Sequence, residues 1–69
     1  MEDKKYLIKI FEYTLEELEE KLNVPWYEII EVMSELLEEK IAIHLNITPK
    51  QVEKMEIYQE WFYERAQDV

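Results

Sequence analysis

Ile41-Ala42-Ile43-His44-Leu45-Asn46-Ile47 places an apolar side chain at every second position, with Ala42, His44 and Asn46 between. Strict period two predicts a half-buried β-strand, because successive side chains of a strand point to opposite faces. A strand needs a partner. Tyr6 to Tyr13 (Tyr-Leu-Ile-Lys-Ile-Phe-Glu-Tyr) is rich in aromatic and β-branched residues and supplies one, so the two segments are expected to form a two-stranded antiparallel sheet.

Helices fill the remainder. Thr14 and Glu17 have the spacing of a capping box, with Tyr13 placed to staple Leu18, which predicts a helix starting at Thr14. Asn23-Val24-Pro25 ends it: asparagine tolerates a left-handed backbone, and proline suits the first turn of the next helix. From Pro25 to Lys40, Trp26, Ile29, Ile30, Met33, Leu36 and Leu37 gather on one face, with Val32 and Ile41 at its borders. Thr48-Pro49-Lys50-Gln51 is the clearest start signal, combining a cap, a proline at the first helical position and a closing glutamine. The last helix is expected to run unbroken to Gln67 with Val52, Met55, Tyr58, Phe62 and Ala66 inward. The predicted fold is α+β, strand–helix–helix–strand–helix, in one small domain over residues 1–69.

Composition narrows the function. The 69 residues carry no cysteine and no glycine, which removes disulfides, thiolate metal sites and glycine-rich phosphate loops together. The charged start, Met1 to Lys5, predicts no signal peptide, and no apolar run is long enough for a membrane span; a cytoplasmic location is expected. Net charge is −9, and ten of seventeen acidic residues fall between Glu12 and Lys40 against two lysines. Such a surface repels a phosphate backbone, so direct nucleic-acid binding is not expected. His44 is the only histidine, and Ser34 has no base at readable spacing, so no catalytic residue, cofactor or metal ligand is assigned.

Residues 14–43 resemble the core of winged-helix transcription regulators. Thr14, Leu18, Leu22, Val24, Ile29, Met33, Leu36 and Ile41 fall on that family's core spacing, with Asn23 where its turn glycine stands. The resemblance implies a helix-turn-helix flanked by strands, here degenerate and wingless because Thr48 starts a helix where the wing would turn. Glu19 stands in place of the alanine that lets the two helices approach, and Lys40 in place of the glycine before the wing. The base-reading positions hold Glu28, Glu31, Ser34 and Glu35, without arginine or lysine, so the family's DNA binding does not carry over.

Two surfaces are candidate sites. Glu28, Glu31, Glu35 and Glu38 step along one predicted helix face by about 4.5–6 Å, comparable to phosphates along a strand. They are expected to engage a partner protein with a basic nucleic-acid-binding surface. Ile57 and Trp61 lie beside the core stripe of the last helix and are expected to form an apolar contact with a partner or a homodimer mate. In size, acidity and lack of chemistry the chain is similar to small phage inhibitors, anti-CRISPR and DNA-mimic proteins among them. The expected function is a non-enzymatic acidic interaction module. The alternative is a homodimeric regulatory or assembly subunit that uses a helix-turn-helix shape for protein contacts.

Overall fold

The computed structural model describes the backbone of residues 2–67 and the side chains from Asp3; of the charged start, Met1 lies outside the described residues. In order come α1 (Glu2–Leu22), a 3-10 helix (Trp26–Ile29), α2 (Ile30–Leu45), α3 (Pro49–Lys54) and α4 (Glu56–Gln67). Among the described residues there is no strand. The α+β expectation, with its two-stranded sheet and winged-helix-like arrangement, is therefore corrected to an all-helical fold.

The first predicted strand is the front half of α1. Leu7, Phe11, Leu15, Leu18 and Leu22 recur at helical spacing through Tyr6–Tyr13 and beyond. Treating Thr14 as a boundary hides that stripe. Thr14 lies in mid-helix, fully buried, and its hydroxyl donates to the Ile10 carbonyl at 2.7 Å. This back-bond to the preceding turn satisfies a buried threonine without a cap. At 21 residues α1 is about 31 Å long and sets the long dimension of the molecule, 32 Å.

The second predicted strand is the end of α2, which passes Lys40 and continues to Leu45. A strand would bury Ile43 and expose Ala42. The structure does the reverse, with Ile43 76% exposed and Ala42 3%. What decides this is the run Met33, Leu37, Ile41 and Leu45, four residues apart, which keeps one helical stripe on the core. A two-stranded sheet of such short segments is marginal by itself, whereas a longer helix adds a hydrogen bond for each residue fixed.

Asparagine ends both long helices. Asn23 has φ 55° and its N–H reaches the Glu19 carbonyl at 2.8 Å, a left-handed cap as the sequence predicts. Asn46, read as a strand residue, has φ 59°; its N–H donates to Ile43 (3.3 Å) and that of Ile47 to Ala42 (3.0 Å). Those two bonds are the paired closure of a Schellman motif. The second helix also starts differently from the prediction: Trp26–Ile29 is a 3-10 turn, and Ile29 (φ −128°, ψ 44°) breaks the register before α2.

The capping box at Thr48 forms as expected. Gln51 N–H donates to the Thr48 hydroxyl at 3.2 Å, and Thr48 N–H donates to the Gln51 side-chain carbonyl at 2.9 Å. The helix it starts is short. Extended backbone at Met55 (ψ 122°) divides the predicted single helix into α3 and α4, and the Gln59 amide donates to the Glu53 carbonyl at 2.8 Å, covering an exposed end of α3. Tyr58, Trp61 and Phe62, three and four residues apart on α4, face the core together, and the break lets Val52, half a turn from Trp61 in a continuous helix, be buried with them. Phe11 of α1 sits 5.6 Å from the Tyr58 ring, edge to face, and 5.3 Å from Trp61. Trp26 meets Phe62 at 5.8 Å, so one aromatic cluster joins the two ends of the chain.

Candidate functional site

The helices position the acidic residues in two groups. Glu31, Glu35 and Glu38 occupy one side of α2, while Glu28 stands on the preceding 3-10 turn, across the register break at Ile29. The four do not follow one continuous helix face. Glu28, Glu31 and Glu35 are exposed. Glu38 is half-buried and accepts a hydrogen bond from the Ser34 hydroxyl at 3.1 Å. Burial raises its carboxyl above the ordinary value; the Ser34 bond opposes this, and repulsion from Glu53 and Glu35 adds to it.

Internal partners decide which carboxylates are available. Among the described residues the one ion pair joins Arg65 to Glu12, and the Trp61 indole N–H donates to the same carboxylate at 2.7 Å. Arg65 also lies over the Trp61 ring, 5.9 Å from its centroid. Both members of the pair are more than a third exposed, so the pair itself adds at most about 1 kcal/mol. Its consequence is positional, tying α1 to α4. Glu19 accepts the Trp26 N–H at 3.3 Å and so holds the turn between α1 and α2. The residue that departs from the winged-helix pattern thus serves the local fold. Glu16, Glu17, Glu20, Glu28, Glu31, Glu35 and Glu39 make no side-chain hydrogen bond or ion pair among the described residues.

The apolar pair divides. Ile57 is half-buried against the core and lines a shallow hollow with Leu7 of α1. Trp61 is 7% exposed, in contact with Phe11, Tyr58 and Phe62, and belongs to the interior of the monomer. It shares the face of α4 with Tyr58 and Phe62, and the break at Met55 lets that face and Val52 of α3 be buried together, which one continuous helix would set half a turn apart.

Two features escape the sequence reading. Tyr13, Glu16, Glu17 and Glu20 of α1 form an open groove with Lys21 and with Lys40 of α2. Val32 and Ile43 are exposed on α2. Following the 3.6-residue period past Lys40 is the signal that would have found the second. Tyr58 closes the other side of α2: its hydroxyl donates to the Ser34 carbonyl at 3.5 Å, and burial pushes its pKa well up.

Among the described residues, no group of three or more histidine, aspartate or glutamate side chains is arranged to hold a metal ion, and no helix is long and apolar enough to cross a membrane. Comparison with family models, with curated proteins and with solved structures returned no match.

Proposed function

We propose that the chain is a non-catalytic binding protein whose carboxylates on α2 and on the 3-10 turn before it dock on a basic, nucleic-acid-handling surface of another protein and block it. One observation carries this reading: Glu28, Glu31 and Glu35 are exposed and lack a basic partner among the described residues. Each like-charge pair four residues apart on a helix, such as Glu31–Glu35 or Glu35–Glu39, costs a few tenths of a kcal/mol, roughly 0.2–0.5. Intervening lysines would relieve that cost, and α2 places none between them. The carboxylates of Glu28, Glu31 and Glu35 are open to solvent, which suits charge-to-charge docking better than acid–base chemistry in an enclosed cleft.

The test uses the full chain against proteins with basic nucleic-acid-binding surfaces, measured over a salt series. Affinity is expected to fall steeply from low to high ionic strength, and added duplex DNA is expected to compete for the partner. Glu28→Lys, Glu31→Lys and Glu35→Lys together are expected to abolish capture with the helical circular dichroism unchanged. Capture that ignores salt and survives the triple variant rejects the proposal.

A further inference from the structure

Continuing α2 to Leu45 gives that helix a second apolar stripe, of which Leu36 alone packs partly against the core. At 100° per residue, Val32, Leu36 and Ile43 fall within about 40° of arc and span about 16 Å along the axis. Val32 is 53% and Ile43 76% exposed, with Leu36 half-buried between them. At the N-terminal end of the stripe, Tyr27, Ile29 and Val32 line an open hollow whose other walls are Glu28, Ile30 and Glu31. Scattered exposed apolar residues need no explanation, but an aligned stripe beside a hollow marks an interaction surface.

Charge identifies what fits there. Glu35 and Glu39 border the stripe on one side, within about 60° of Val32, and both are exposed. Lys40 borders the other side. An apolar strip edged by carboxylates complements an amphipathic helix with an apolar ridge and one cationic flank. A second copy of this chain fits poorly, because it would bring −9 against −9.

We propose that α2 seats a basic amphipathic helix of the partner. Val32, Leu36 and Ile43 take its apolar ridge, and Glu35 and Glu39 pair with its lysines or arginines. This rests on the reading that the α2 glutamates face the partner, and it adds the form of what they meet.

Two synthetic 18-residue peptides of identical leucine and lysine composition test it. One places leucines four and three residues apart on a single helix face; the other distributes them around the helix. Titrated against the full chain by fluorescence anisotropy, the amphipathic peptide is expected to bind at least about tenfold tighter. Val32→Gln with Ile43→Gln, which leaves the charge unchanged, is expected to erase that preference while retaining weak, salt-sensitive attraction to both peptides. Equal binding of the two peptides to the unaltered chain overturns the seat for a helix. If that equal binding still falls with salt and with Glu31→Lys and Glu35→Lys, the charge reading stands without it. Binding of neither peptide overturns both. A dimer in sedimentation equilibrium that the double glutamine variant converts to monomer assigns the stripe to a second copy and overturns the proposal as well.

Discussion

Ile43 and Ala42 are neighbours whose burial is opposite in a helix and in a strand, so exchanging their sizes tests the fold directly. Ile43 is 76% exposed. Complete burial of an isoleucine contributes about 1.5–3 kcal/mol, so the quarter that is covered contributes about 0.4–0.8 kcal/mol. Alanine is the better helix former, by a few tenths of a kcal/mol, roughly 0.4. Ile43→Ala is therefore expected to change stability by no more than about 0.5 kcal/mol. Ala42 is 3% exposed where α2 turns towards α3, so Ala42→Leu has nowhere to go and is expected to cost about 1–3 kcal/mol. Leu37→Ala, from a fully buried position, provides the scale at about 2–5 kcal/mol. Urea denaturation followed at 222 nm separates these cases, and each kcal/mol moves the thermal midpoint by about 4–8 °C in a domain of this size. An Ile43→Ala loss above about 2 kcal/mol together with a harmless Ala42→Leu is the result a strand requires, and it would refute the helical account of residues 41–45.

Two further outcomes follow from burial. Trp61→Ala removes the centre of the aromatic cluster and leaves Glu12 with one donor fewer. It is expected to cost about 3–5 kcal/mol, a large part of what a small domain possesses, and to show as unfolding at 25 °C in low urea; a variant that only loses partner affinity would contradict the core placement. Glu38 tests pH. Its folded carboxyl is raised, first by burial, so the stability from protonating it is fully present below the unfolded pKa, about 4.3, and is lost as pH rises through the folded value. Glu38→Gln is expected to melt higher than the parent at pH 7 and to flatten that decline, since glutamine still accepts from Ser34. A lower melting point at pH 7 would reverse the sign and discard the argument.

The local chemistry of several positions was legible in the sequence. Asn23 adopts the left-handed turn its side chain tolerates, and Thr48, Pro49 and Gln51 start a helix through short-range bonds that need no distant partner. Met33 and Leu37 occupy the core face their spacing predicts. The surplus of carboxylates around α2 was equally plain, because charge is a property of composition. Periodicity in short windows was not decisive: Ile41–Ile47 satisfies period two, and its Ile41 and Leu45 also satisfy a four-residue step.

Only tertiary packing chooses between those periods, since a stripe is stabilised by what it meets. Phe11 finds Tyr58 and Trp61 across forty-seven and fifty residues of chain, and that contact buries the helical stripe running through Tyr6–Tyr13. The extended backbone at Met55, which lets Val52 and Trp61 both be buried, has no signature in the spacing around it. Which glutamates remain unpaired is likewise a matter of long-range neighbours: Glu12 is taken by Arg65, fifty-three residues away, while Glu31 and Glu35 meet no cation among the described residues. Sequence determined the turn at Asn23, the cap at Thr48 and the charge because these act over a few residues; the mid-helix place of Thr14, the fold class and the free surface depended on which distant side chains share one core.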